Sequence, residues 1–463
     1  MPIFANLSLS LHFKNIKNIL NMRYLQRLID TELERWMNDP HRKPLLLRGA
    51  RQVGKTSAIR HLGTKFKHYV EIDLTDHKEL HSIFAPGVEP QQICQQLALV
   101  MGIPIEEGNT LLFLDEIQAC GAAIEKLRYF YEKMPGLHVV AAGSLLEFAL
   151  RDLPSFGVGR IRSLFMYSFC FKEFLWALDM HALADAIGHA SPHAPLADVV
   201  HTKALQLLRT FLVIGGMPEC VARYAESGSL LECQTVLQEL AVSYEDDFQK
   251  YHNRVPVGLL KDVLTSVALQ GQGKFVYSQV NTTCRQALVK EALEMLCMAG
   301  LIYTVVHTNA NGVPLRAEAD EKYRRYIFMD TGLLQRILGL DITPLLTSDD
   351  LRMVNRGALA ETFVGNELVK SASPYQKDNL YCWHREKRDS NAEVDFVVAL
   401  GGKVMPVEVK SGTKGSMQSL RMFLQLKALD KGIRTSLENF GAFNDILIYP
   451  LYAIGNVNSE GQM

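Results

Sequence analysis

The sequence predicts an α/β protein. A parallel sheet is followed by a helical region, a small α+β segment and a second α/β unit. Three observations carry this reading. Short apolar runs alternate with helix-patterned stretches between residues 44 and 167. The first run flows into Gly49-Ala50-Arg51-Gln52-Val53-Gly54-Lys55-Thr56, a glycine-rich phosphate loop. From residue 356 onward, a second set of strands carries acids and a lysine at alternate positions.

The elements follow in chain order. Residues 23–37 place Leu25, Leu28, Ile29, Leu33 and Trp36 at helical spacing, and Asn38-Asp39-Pro40 ends that helix. Strands are expected at 44–47, 69–74, 111–114, 139–142 and 164–167, with helices at 90–100 and 124–133 between them. Residues 171–255 read as mostly helical, broken by His189–Pro195 and by Gly215-Gly216-Met217-Pro218. Residues 256–335 read as helix 257–269, strand 275–280, helix 285–299, strand 301–307, a turn at 309–314 and a return strand at 326–329. Helices followed by a hairpin suggest a winged helix. The last stretch reads as helix 356–371, strands 380–384, 393–399 and 404–410, helix 416–428 and strand 446–452. Residues 1–21 form an N-terminal extension, Met22 is a candidate start, and 456–463 form a tail.

Composition narrows the function classes. At 463 residues with 48% hydrophobic and 21% charged residues, the chain has the balance of a multidomain globular protein. Lys+Arg 49 against Asp+Glu 50 gives a net charge of -1, so any nucleic-acid contact must come from local patches. The eight cysteines form no C-x-x-C pair, which argues against a zinc site or a disulfide framework and fits a cytoplasmic setting. No apolar run reaches the ~18 residues of a membrane helix, so no membrane partner is expected.

The chemistry begins at the loop. Glycines let the backbone N–H groups point at phosphate oxygens, and the following helix offers its positive end. Gly49, Ala50, Arg51, Gln52, Val53, Gly54, Lys55, Thr56 and Ser57 are the expected ATP contacts. Lys55 would reach the β- and γ-phosphates, and Thr56 would bind Mg²⁺. Leu111-Leu112-Phe113-Leu114-Asp115-Glu116 is an apolar strand ending in two acids. Asp115 would support the Mg²⁺ shell, and Glu116 would act as general base on the attacking water.

With both motifs on a parallel sheet, residues 22–170 resemble the AAA+ ATPases. The resemblance implies that Ser144, closing Val139-Val140-Ala141-Ala142-Gly143-Ser144, senses the γ-phosphate. It implies an arginine finger near the fifth strand, for which Arg160 is the candidate, acting on a neighbouring copy of the chain. It makes residues 171–255 a helical lid, and Gly216-Met217-Pro218 resembles a motif whose proline, here Pro218, lies against adenine. No clear second sensor arginine stands out.

The second constellation is Glu361, Glu393, Asp395, Glu408 and Lys410. Period two puts Glu408 and Lys410 on one strand face, and Glu393 and Asp395 on one face of another. The short Gly401-Gly402 turn pairs those strands. Hard oxygens there suit a second Mg²⁺ or Mn²⁺, and Lys410 would orient a water or stabilise developing charge. This arrangement resembles the PD-(D/E)xK nuclease superfamily. Asp395 and Glu408-Val409-Lys410 match its motif, and Glu361 matches the acid donated by its preceding helix. Residues 336–455 are therefore expected to be restriction-endonuclease-like, and residues 256–335 winged-helix-like. Lys322, Arg324 and Arg325 would meet phosphates of DNA, as would Arg385, Lys387, Arg388, Lys403 and Lys414. From 22 to 455 the chain resembles a prokaryotic group of such ATPases with a nuclease-like C-terminal region of undefined role. Two functions follow: an ATPase coupled to DNA processing, or a nucleotide-controlled switch whose nuclease-like domain is inactive and binds a partner.

Overall fold

A computed structural model describes residues 23–152, 159–251, 254–271, 273–340, 356–377, 380–385, 392–413 and 415–457. The chain divides into two compact units between Met166 and Tyr167. The N-terminal extension, the C-terminal tail from residue 458, Lys387, Arg388 and Lys414 lie outside the described residues.

The first unit is a five-stranded sheet, β1 (Leu45–Arg48), β2 (His68–Asp73), β3 (Thr110–Asp115), β4 (His138–Ala142) and β5 (Arg162–Phe165), in the order β2-β3-β4-β1-β5. Every pairing is parallel. All residues of β3 and β4 are buried, which is why both read as continuous apolar runs. Helices Lys55–Gly63, Pro90–Met101 and Gly121–Lys133 connect the strands. Ile93, Leu97, Ile124, Leu127 and Phe130 from these helices pack on Val70, Leu112, Leu114 and Val139. The first helix spans Ile29–Asn38, shorter than the pattern suggested. The residues before it are tied down differently: the Asp30 carboxylate accepts from the Arg27 N–H and the Tyr24 hydroxyl.

The second unit opens with helices Phe171–Ala177, His181–His189, Asp198–Ile214, Pro218–Ser227, Leu230–Asp247, Val257–Gln270 and Gln286–Met298. Phe275–Val280, expected as a strand, contains a 3₁₀ turn at Tyr277–Gln279 instead. A mixed eight-stranded sheet follows: β6 (Ile302–Thr308), β7 (Ala319–Phe328), β8 (Leu380–His384), β9 (Glu393–Leu400), β10 (Lys403–Val409), β11 (Gly432–Ser436), β12 (Gly441–Phe443) and β13 (Ile446–Pro450). Its order is β12-β13-β11-β10-β9-β8-β6-β7. The β6–β7 hairpin, expected to close a separate winged helix, is one edge of this sheet, because β6 pairs in parallel with β8. Helices Thr331–Ile337, Arg356–Lys370 and Gln418–Lys427 complete the unit. No helix among the described residues is long and apolar enough to cross a membrane.

Candidate functional site

β1 ends at Arg48 and the phosphate loop begins at once. Gly49 has φ 151°, and a Cβ there would sit 2.1 Å from the Met166 carbonyl oxygen. Met166 closes on the loop by donating its N–H to the Arg48 carbonyl at 2.8 Å. Only glycine fits such an approach. Gln52 (φ 61°) and Gly54 (φ 96°) curl the loop into helix Lys55–Gly63. Arg27 supports it from outside, with Nη1 donating to the Val53 carbonyl at 2.9 Å. That brace was not legible in the sequence, since an isolated Arg 26 residues upstream carries no pattern.

The Lys55 ammonium is buried and donates to the carbonyls of Gly49 (2.9 Å) and Ala50 (2.7 Å). Burial pulls its pKa down to about 8, against the opposing pull of the Glu116 and Asp115 charges. Thr56 and Asp115, 59 residues apart, meet: Thr56 Oγ1 donates to Asp115 Oδ2 at 2.7 Å. Burial pushes the Asp115 carboxyl up to about 6, helped by the charges of Glu116 and Glu71 and resisted by hydrogen bonds from Thr56 and the Glu116 N–H. A hydroxyl and a buried carboxylate side by side are hard oxygen donors whose charge cost a divalent cation would relieve, so the pair fits Mg²⁺.

Glu116 sits just beyond β3 with φ 46° and ψ 43°. Ser144 Oγ, at the end of β4, donates to Glu116 Oε2 at 3.2 Å. Gln118 Nε2 donates to the same oxygen. Gln52 is exposed on the loop, and Ser57 is exposed in the first turn of the helix. Arg160 pairs with Glu132 of its own chain at 2.5 Å. Pro218 is the first residue of helix Pro218–Ser227 in the second unit, after a Gly215–Gly216 bend.

In the second unit, β9 and β10 pair antiparallel through Phe396↔Val407. One step further, Asp395 stands opposite Glu408. Asp395 Oδ2 accepts the Val409 N–H at 2.7 Å, and Lys410 Nζ donates to Glu408 Oε1 at 2.7 Å. Glu408 Oε2 is buried without a hydrogen-bond partner among the described residues. Burial, then the Asp395 charge, raises Glu408 to about 7, while Lys410 opposes. Burial also raises Asp395, against the pull of Arg325. Glu361 is placed differently from the expected ligand: its carboxylate accepts from Arg325 Nη1 at 2.7 Å. Among the described residues no group of three or more His, Cys, Asp or Glu is arranged to hold a metal ion.

Arg325 corrects an expectation. It is 2% exposed, lies over the Phe396 ring at 4.9 Å and donates to the Asp395 carbonyl, so it does not meet an external phosphate. Inward direction follows from its place in β7, where Tyr323 and Arg325 are buried and Lys322 is exposed. Arg324 pairs with Glu321. Lys403 is exposed, and Arg385 donates to the Met422 sulfur at 3.0 Å.

Residues 41–175 match the family described as an AAA domain. Residues 205–343 and 356–454 match two families, each described as a domain of unknown function. No curated protein matches the sequence. Among solved structures, the Aeropyrum pernix ORC1 protein in complex with DNA is 14% identical at a TM-score of 0.30, over 71% of this chain and 97% of that one. Drosophila ORC bound to DNA is 14% identical at 0.24, over 71% and 86%. Unliganded Pif1 from a Bacteroides species is 17% identical at 0.21, over 36% and 50%. The chain therefore carries an AAA domain at residues 41–175, followed by two domains of unknown function.

Proposed function

We propose that the chain binds ATP·Mg²⁺ in its AAA domain and hydrolyses it, coupling turnover to the C-terminal unit. The observation that carries this is the Thr56–Asp115 hydrogen bond, which brings the ends of the phosphate loop and the acidic strand together beside Lys55. Lys55 neutralises phosphate charge, Thr56 and Asp115 hold Mg²⁺, and Glu116 takes the proton of the attacking water. Mg²⁺ supplies charge neutralisation on the transferred phosphoryl oxygens. The Ser144–Glu116 contact supports a role for Ser144 at the reacting phosphate. Arg160 as a finger in trans requires release from Glu132 and a second copy of the chain.

The test is direct. Lys55→Ala should abolish calorimetric binding of ATP·Mg²⁺, and Glu116→Gln should bind ATP while hydrolysing it about 100-fold more slowly or worse. Wild-type affinity in the first variant, or a wild-type rate in the second, sinks the assignment. Activity restored on mixing Arg160→Ala with Lys55→Ala chains supports the finger; no rescue in an intact assembly removes it.

For the C-terminal unit, a nuclease-like reading is supported by the opposed Asp395 and Glu408, the adjoining Lys410 and the orphaned Glu408 oxygen. The helix, three strands and helix that open 356–450, followed by β11, β12 and β13, support a restriction-endonuclease-like arrangement, with DNA as the candidate polymer. The switch reading, in which this region only binds a partner, is supported by the Glu361–Arg325 pair, which engages one of the expected acids with a buried cation. Plasmid cleavage with Mg²⁺ or Mn²⁺, with and without ATP, separates them: cleavage lost in Asp395→Asn supports the nuclease, and no cleavage under any condition supports the switch.

A further inference from the structure

Glu116 is held in an unusual way. Its left-handed backbone costs a non-glycine residue about 1–3 kcal/mol, and it starts a 3₁₀ turn over Ile117–Ala119. That turn brings Gln118 back beside Glu116. Gln118 Nε2 and Ser144 Oγ both donate to Glu116 Oε2. Among the described residues nothing donates to Oε1. The other end of the Gln118 amide, Oε1, is buried with no partner. A Cβ on Gly143 would come 1.9 Å from it, so the amide keeps this position only while residue 143 has no side chain. A buried acceptor left unpaired costs about 1–3 kcal/mol. The chain thus spends backbone strain, an unpaired carbonyl and a side-chain-free position on placing one amide against one carboxylate.

We propose that Gln118 is a positioning residue for ATP hydrolysis, acting through Glu116 in the space that Gly143 provides. The inference rests on the ATPase reading above. With Oε2 fixed by Gln118 and Ser144, Glu116 has one rotational setting, and Oε1 is the oxygen left to accept a proton. Water oxygen bonds to the γ-phosphorus, the bond to the β-phosphate bridging oxygen breaks with its electron pair leaving on ADP, and the water proton passes to Oε1. Gln118 exchanges no proton. Its amide keeps the base aimed and keeps Ser144 beside it.

The experiment compares Gln118→Ala, Gly143→Ala and the double variant in steady-state ATP hydrolysis, with ATP affinity measured separately by calorimetry. Gln118→Ala should lower kcat about 10- to 100-fold, the scale of a misplaced catalytic group, with KM and ATP affinity close to wild type. Gly143→Ala should show the same split, since its Cβ displaces the Gln118 amide. The double variant should be no slower than Gln118→Ala alone, because the clash disappears with the amide. Gln118→Glu should be slow at neutral pH, where two carboxylates repel. Its deficit relative to wild type should narrow as pH falls and a proton restores the donor. Additive losses, a loss confined to ATP affinity, or a wild-type kcat in Gln118→Ala would each overturn the inference while leaving the ATPase reading intact. A wild-type chain that binds ATP without turning it over overturns both.

Discussion

Lys55 and Asp115 are two ionisations that must be in opposite states for nucleotide to bind. The ammonium must keep its proton, and its pKa is pulled down to about 8 by burial. The carboxyl must lose its proton, and its pKa is pushed up to about 6 by burial. ATP·Mg²⁺ affinity should therefore peak between those values and fall about tenfold per pH unit on either side. Calorimetry across pH 5 to pH 9 checks this, and a flat profile would show that neither ionisation is linked to binding of ATP·Mg²⁺. Lys55→Arg should remove the alkaline limb, because a guanidinium stays charged. The same shift has a consequence for folding. Asp115 ionises at about 3.8 in the unfolded chain and about 6 in the folded one, so stability falls as pH rises through that window and stays lower above it. Asp115→Asn should thus stabilise the nucleotide-free protein at pH 8, by up to about 3 kcal/mol, while losing its dependence on Mg²⁺.

At the level of elements, the Gly215–Gly216 bend shows what a sequence punctuates without explaining. Gly-Gly-Met-Pro marks the break between helices Asp198–Ile214 and Pro218–Ser227, and the break is there. Its partner is 114 residues away. Asp330 Oδ2 accepts the Gly216 N–H at 2.6 Å, while Oδ1 caps helix Thr331–Ile337 through Gly332 (2.9 Å) and Leu333 (3.0 Å). A Cβ on Gly215 would land 2.1 Å from that carboxylate, and one on Gly216 would land 2.1 Å from the Phe169 carbonyl. Lys370 donates to the same Phe169 carbonyl at 2.9 Å, and Glu367 accepts the Phe171 N–H at 3.1 Å. The ends of five helices meet at one buried polar node. Asp330→Ala would strand three buried N–H groups, at about 1–3 kcal/mol each. Chemical denaturation should show a loss of several kcal/mol, with Asp330→Asn milder because Oδ1 can still cap the helix. Wild-type stability in Asp330→Ala would mean that the node is not cooperative.

Across the whole molecule, legibility tracks how much of a strand's environment its own residues encode. β3 and β4 are buried on both faces and read as apolar runs. Gly432–Ser436 and Gly441–Phe443, with one strongly apolar residue each, give no strand pattern, because β11 is fixed by its parallel neighbours β10 and β13 rather than by its own residues. The pattern marks only 326–329 as the return strand, but it spans Ala319–Phe328, since Asp320, Glu321 and Lys322 are charged and exposed. The cluster at Asp395 and Glu408 was legible because alternation fixes the face and Gly401-Gly402, both at positive φ, fix the pairing. Arg325 looks like a surface contact in the sequence because nothing in the pattern of β7 announces that the buried face is partly polar. Two compact units with separate sheets should also unfold as separable steps rather than as one. Ligands that bind only a native site raise the step belonging to that site. ATP·Mg²⁺ added to the Glu116→Gln variant, which does not consume it, should raise the transition of the first unit. Mn²⁺ without nucleotide should raise that of the second only if Asp395 and Glu408 take it, and Asp395→Asn should erase that shift. Scanning calorimetry resolves the two. A shift of both transitions by ATP alone would mean that the second unit responds to the nucleotide state, the outcome that the switch reading requires. Two transitions that move independently, together with Mn²⁺-dependent cleavage, would leave the nuclease reading in possession of the C-terminal unit.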